Sequence, residues 1–145
     1  MGDISEDIKS TFANDKVKAM LNVLYTANWI QNKQQTFFKP YMISSQQYNI
    51  LRILRGAGEA ISVHTIKDRM LEKSPNVTRL MDKLCDKVLI TRVACAIDRR
   101  VVHIKITKDG LQLLTEIDAA KRKDLLSNLT LKEAGTLSDL LDKIR

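Results

Sequence analysis

The sequence predicts a mainly α-helical chain with one small β-hairpin, on three observations. Apolar residues recur at intervals of three, four and seven through most of the 145 residues, the period of amphipathic helices. One stretch breaks that rhythm: "RVVHIKIT", 100–107, puts Val102, Ile104 and Ile106 on one face and Val101, His103 and Lys105 on the other, as a strand does. Ser or Thr stands ahead of each helical run, where its hydroxyl satisfies a backbone N–H that the helix leaves unpaired.

The first run spans Ser5 to Phe38 without Gly or Pro and carries Phe12, Val17, Met20, Leu21, Leu24, Tyr25, Ile30 and Phe37. Ser5 is the expected N-cap, Glu6 and Asp7 suit the positive end of the helix dipole, and Pro40 ends a run that reads as one long helix or two in tandem. "SSQQYNILRILRGAG" opens with a capping box, Ser44 and Gln47, buries Tyr48, Leu51 and Leu54, and is closed by Gly56 and Gly58.

An extended pair, Ala60 and Ile61, leads to "SVHTIKDRML", with Ser62 as cap and Val63, Ile66, Met70 and Leu71 inward. After "EKS" comes "SPNVTRLMDKLCDKVLI", with Ser74 as cap and Pro75 at the first helical position, where a missing N–H costs nothing. Val77, Leu80, Met81, Leu84 and Val88 form its apolar stripe; Asn76, Thr78, Arg79, Lys83 and Lys87 occupy another side, which alone would read as an ordinary solvated face.

That face does not stand alone. Two helices joined by so short a turn make a helix-turn-helix, and "LITRV", the turn region "ACAI" and "RVVHIKIT" make a hairpin behind it, so the whole reads as a winged helix over about 44–107. From Ser74 to Lys108 eight basic residues face three acids, a surplus of five out of the net +7 of the chain. Positive charge is thus concentrated where a polyanion would lie.

Thr107 caps a helix expected through "DGLQLLTEIDAAKRKDLLSNL", and Thr130 with Glu133 forms a second capping box before "AGTLSDLLDKIR". The two ends, about 1–40 and 108–145, carry more apolar surface than a lone winged helix can bury, and burial between two subunits is the simplest account.

Composition excludes several classes. No run nears the roughly 18 apolar residues of a membrane span, and "MGDISEDIKS" lacks the regions of a signal peptide, so a soluble cytoplasmic protein is expected. Cys85, Cys95, His64 and His103 show neither metal-ligand spacing nor a nucleophile pair, and both cysteines read as structural thiols. With no paired carboxylates and no Gly-rich phosphate loop, neither an enzyme nor a cofactor is expected.

The middle of the chain resembles the MarR family of dimeric winged-helix transcriptional regulators. "NVTRLMDKLCDKVLI" is similar to its recognition-helix pattern V-T-R-L-x-D-x-L-x-x-x-x-L-I, and "DRRVVHIKITKDG" to its wing pattern D-R-R-x-x-x-x-x-L-T-x-x-G, while Ser44, Gln47 and Leu51 fit the preceding helix. The resemblance implies a homodimer on double-stranded DNA with a pseudo-palindromic operator, acting as a repressor that a small aromatic or anionic effector releases. It puts Asn76, Thr78, Arg79 and Lys83 in the major groove, Arg100 in the minor groove and Arg99 beside it, and gives Asp98 the task of orienting the wing, through its backbone or a nearby arginine. Ser62, His64, Thr65 and Ser74, at helix N-termini, are candidate phosphate contacts as well as caps. Trp29, Phe37, Phe38 and Tyr41 are candidates for the effector pocket, or else dimer core.

Two departures stand out. Val88 replaces the glycine usual before the first wing strand, so a left-handed turn there is strained. The tip "ACAI" is more apolar than the polar tips common in the family, and partial burial is expected. The family's oxidant-sensing members carry a cysteine near the first helix, where this chain has none. The alternative function is a winged helix used for protein interaction, with no base read.

Overall fold

The N-terminal run is two helices, α1 (Ile4–Asp7) and α2 (Asp15–Phe38), in a computed structural model that describes residues 2–73, 75–120 and 124–145. Asp3, not Ser5, caps α1: its carboxylate accepts the Ser5 backbone N–H at 2.8 Å, because Ser5 already lies inside the helix. That bond, together with the Lys18 ammonium, holds the Asp3 carboxyl at about 2. Asn14 caps α2 through the Val17 N–H at 3.1 Å. Phe38 is the buried residue of α2, and a 3-10 turn at Lys39–Tyr41 follows around Pro40.

The capping box of α3 (Ser45–Ala57) has both of its bonds: Gln47 N–H to Ser44 Oγ at 3.1 Å and Ser44 N–H to Gln47 Oε1 at 3.0 Å. Gly58, at φ +70°, ends the helix; Gly56 lies within it and does not help to close it. Ser62 caps α4 (Val63–Arg69), whose Ile66 is fully buried. The chain leaves α4 at Met70 in an extended conformation, which stops the helical periodicity and turns Leu71 outward, 89% exposed, against the inward position expected for it.

The next helix, α5 (Val77–Asp86), starts later than expected. Asn76 holds its N-cap position and Pro75 belongs to the turn before it, while Ser74, the expected cap, lies outside the described residues. Val77, Met81 and Leu84 are buried as their spacing predicts, but Val88 is not part of the stripe.

Three short strands form one antiparallel sheet, β1 (Ile61–Ser62) ahead of the helix-turn-helix and β2 (Ile90–Ala94) and β3 (Val102–Ile106) after it, with β3 central. Ile61 pairs with Ile104 and Ile90 with Ile106, so the buried Ile104 knits the sheet to the core. Beyond Ile90, every residue of β2 is exposed, and the far end of the hairpin stands clear of the body. The expected extended pair 60–61 is thus one residue out of place and is a paired strand.

Thr107 caps α6 (Lys108–Ala119), which ends well short of the expected Leu129. Ala120 is extended, residues 121–123 of the expected helix lie outside the described residues, and beyond them Asp124 accepts the Leu126 N–H at 2.9 Å. The last helix, α7 (Leu131–Ile144), has its capping box at Thr130 and Glu133 and no buried residue. The core gathers Phe38 from α2, Leu51 and Leu54 from α3, Ile66 from α4, Leu84 from α5 and Leu114 from α6.

Candidate nucleic-acid interface

The candidate recognition segment is built by burying one side of α5 and leaving the other in solvent. Val77, Met81 and Leu84 anchor it, and Asn76, Thr78, Arg79 and Lys83 are exposed on the same helix. Arg79 and Lys83 lie one turn apart. Lys83 also lines, with Lys39 and Lys87, a groove between the end of α2 and the start of α3, and the Lys87 ammonium donates to the Met42 carbonyl oxygen.

A two-bond turn joins α5 to the wing. Leu89 N–H donates to Leu84 O at 3.0 Å and Val88 N–H to Cys85 O at 2.8 Å, the pair of bonds that defines a Schellman ending. The residue between them must be left-handed, and it is Val88, at φ +58°. A β-branched side chain is strained there, as the sequence predicts. Leu89, in turn, is buried in the place expected of Val88.

The wing is tied back to the recognition helix by an ion pair. Ile90 and Arg92 share one face of β2; Ile90 enters the core, and the Arg92 guanidinium reaches Asp82 of α5. The hydrogen bond to Asp82 raises the pKa of Arg92 above its ordinary value. Sequence reading missed this pair. The available signal was a basic residue on the inward face of a strand, which needs a partner.

At the tip, Cys95 N–H donates to Val101 O at 3.1 Å and Val101 N–H to Asp98 O at 3.0 Å. The Asp98 carboxylate accepts the backbone N–H of Arg100 at 2.9 Å, leaving the exposed Arg99 and Arg100 side chains on a loop whose backbone is held. Of the two orienting contacts open to Asp98 in the sequence, the backbone one is present. Of the tip expected to be partly buried, only Cys95 is half-buried; Ile97 is 97% exposed and Ala94 and Ala96 are open. Ile97 and the two alanines have no body to pack on, because the loop lies beyond the last buried residue of β2.

The candidate phosphate contacts are engaged locally. Ser62 Oγ accepts the Thr65 N–H at 3.1 Å and lies 2.9 Å from Thr65 Oγ1, so both hydroxyls serve the cap. His64 is exposed, its Nε2 3.1 Å from Asp68 Oδ2. Ser74 lies outside the described residues.

The four aromatic candidates are linked through Phe37, whose ring centroid lies 5.1 Å from that of Phe38, but they do not line one pocket. Trp29 and Phe37 line an open cavity of about 500 Å³ with Lys33, Leu125 and Asn128. Tyr41 is half-buried against Phe37, ring centroids 5.9 Å apart. Phe38 is core: it is 1% exposed and stacks on Tyr48 at 4.5 Å, since its position at the end of α2 points it into the helix-turn-helix. Cys85 is a half-buried free thiol whose pKa burial pushes up, against the reactivity of a thiolate sensor. Among the described residues no group of His, Cys, Asp and Glu is placed to hold a metal ion, and no helix is long and apolar enough to cross a membrane.

Comparison with known proteins agrees with this geometry. Residues 43–102, the helix-turn-helix and most of the wing, match the model of the MarR family. The HTH-type transcriptional regulator MhqR of Bacillus subtilis (strain 168) is 30% identical over 105 residues, 70% of this chain and 72% of that protein. A cysteine-to-serine mutant of MarR from E. coli, solved in complex with operator DNA, superposes with a TM-score of 0.78 at 23% identity, over 92% of this chain and 99% of that chain. The MarR transcription factor from Planctomyces limnophilus superposes at 0.63 with 28% identity, over 93% of both chains. With the latched wing, the exposed recognition helix and this relative in MhqR, the chain belongs to the MarR family of transcriptional regulators.

Proposed function

We propose that the chain acts as a homodimer on a pseudo-palindromic operator, reading the major groove with Thr78, Arg79, Lys83 and Asn76 and the minor groove with Arg100, with Arg99 on phosphate. The observation that carries this reading is the Arg92–Asp82 pair. It is a solvent-exposed contact that joins the wing to α5, the two elements proposed to read the two grooves. MarR of E. coli, a fold neighbour solved in complex with operator DNA, supports a DNA-binding reading.

Residues of about 1–40 and 108–145 form the dimerisation part and about 44–107 the DNA-reading part. The exposed Leu131, Leu137, Leu140 and Ile144 of α7, with Met20 and Leu24 of α2, supply apolar surface for a second copy. The cavity at Trp29 and Phe37 is the proposed seat of a small aromatic or anionic effector, with Lys33, 5.9 Å from the Trp29 ring, as its cation. Binding there relieves repression. The protein works where its DNA is, in the cytoplasm, and carries out no reaction of its own.

Selection of bound fragments from genomic DNA tests the proposal. The expected result is a two-fold symmetric consensus whose half-sites lie about one helical turn apart, with affinity that falls steeply as salt rises. Sequence-blind, salt-insensitive association would overturn it in favour of a protein-interaction module.

A further inference from the structure

The most exposed aliphatic side chain of the wing is Ile97, 97% accessible, and it immediately precedes the Asp98-Arg99-Arg100 segment. Other exposed aliphatics lie on α2 and α7, where a second copy covers them under the proposed dimer, in turns outside the wing at Met42 and Leu71, and, less exposed, on the hairpin at Val93, Val101 and Val102. Ile97 has no such cover: it follows β2, whose residues beyond Ile90 already stand free of the core. It is also not at the end of a floppy loop. The Cys95–Val101 and Val101–Asp98 backbone bonds and the Asp98 carboxylate on the Arg100 N–H close the tip around it.

We propose that Ile97 is a minor-groove wedge: its side chain enters at a base step next to the groove position taken by Arg100 and partly unstacks that step. The occupant of this apolar tip is fixed by charge. Arg99 and Arg100 flank it on one side and the loop's single carboxylate, Asp98, already accepts the Arg100 backbone N–H, so the tip presents an aliphatic group inside a cationic rim. That combination suits the minor groove, where arginines meet the phosphates and sugars while an inserted aliphatic group displaces stacking, and not an acidic or apolar protein surface alone. Flexible pyrimidine–purine steps deform most cheaply, so the wedge also predicts a sequence preference at positions that no side chain hydrogen-bonds.

This inference rests on the DNA-reading role proposed above, and its test separates the two. A duplex selected by the wild-type protein is labelled with 2-aminopurine at successive steps beneath the wing, and its end-to-end distance is followed by energy transfer. Wild type is expected to raise 2-aminopurine emission at one step per half-site and to bend the duplex. I97S should lose both signals and bind roughly tenfold more weakly, the size of effect expected when one large aliphatic group returns to water, with an unchanged salt slope because no charge is altered. I97M should keep the signals. Wild-type binding to a selected duplex with no emission change, or I97S that bends DNA as wild type does, overturns the wedge while leaving DNA reading intact. Failure of wild type to select any duplex overturns both. Loss of self-association in I97S without DNA assigns the tip to a protein contact and overturns the wedge.

Discussion

The hydroxyl of Thr107 donates to the carbonyl oxygen of Val88 at 2.6 Å while accepting the Gly110 N–H at 3.1 Å, so one side chain caps α6 and pins the strained turn that launches the wing. The Thr107 N–H adds a bond to Leu89 O at 3.1 Å. The left-handed conformation costs a non-glycine residue roughly 1–2 kcal/mol, and Val88 persists in it because the turn is held from both sides.

Val88→Gly should therefore stabilise the protein. Strain of that size is relieved, the greater freedom of glycine in the unfolded chain takes back up to about 1 kcal/mol, and little apolar burial is lost because Val88 is 59% exposed. A net gain of about 0.5–1 kcal/mol is expected, read as a higher urea midpoint at constant slope. A midpoint at or below that of wild type would show that the turn is not strained by its side chain.

Gly110 is glycine for a reason of space, not of backbone angle. A Cβ there would collide with the Leu89 carbonyl oxygen and lie 2.7 Å from Ile106 Cγ1, and the carbonyl cannot retreat while it holds the Thr107 N–H. Gly110→Ala should cost about 2–3 kcal/mol, at the upper end of overpacking. Gly56→Ala, inside α3 with no neighbour within 4 Å of the added carbon, should instead gain about 0.5–1 kcal/mol. Thermal unfolding of the two variants checks the contrast, and equal shifts would dismiss the packing account.

What the sequence made legible was local. The caps at Ser44, Ser62, Thr107 and Thr130 each depend on residues within three positions, and each is present. Helix ends were harder, because they lie outside the periodic pattern: the chain turns extended at Ala120 after α6, and the Schellman bonds set Val88 outside α5. At the site, the exposed basic residues of α5 and the Asp98 turn could be read from residue type and spacing. The Arg92–Asp82 latch and the split of the aromatics, with Phe38 in the core and Trp29 at a cavity, depend on which elements meet in space.

In the wing, Asp98 and Arg100 should separate positioning from contact. Arg100→Ala is expected to weaken operator binding by about 1–3 kcal/mol. Asp98→Ala removes the acceptor for the Arg100 N–H and should also weaken binding, whereas Asp98→Asn keeps an acceptor oxygen and should bind close to wild type. Both Asp98 variants should unfold within about 0.5 kcal/mol of wild type, since the residue is exposed. Titrations of labelled operator check the order; an Asp98→Asn variant as weak as Asp98→Ala would shift the role of Asp98 from its hydrogen bond to its charge.

The terminal helices carry the last prediction. No residue of α7 is buried within the chain, yet Leu131 is 95% exposed and Leu137, Leu140 and Ile144 are open along the same helix. Leu137, Leu140 and Ile144 recur at steps of three and four on one face, and an apolar stripe of this kind is covered in working oligomers. Leu140→Asp would place a carboxylate in the proposed interface, where leaving it without a partner costs more than any lost contact. The expected outcome is a sedimentation shift from dimer to monomer at micromolar concentration. Helical circular dichroism should stay close to wild type, because Leu140 is not part of the core that holds α3, α5 and α6. Operator affinity should fall far more than for any single contact residue, since a monomer engages one half-site and loses the linkage that makes the second half-site nearly intramolecular. A variant that stays dimeric and binds normally would move the interface off α7, whereas a variant that becomes monomeric and still binds the full operator with wild-type affinity would break the link between dimerisation and DNA reading.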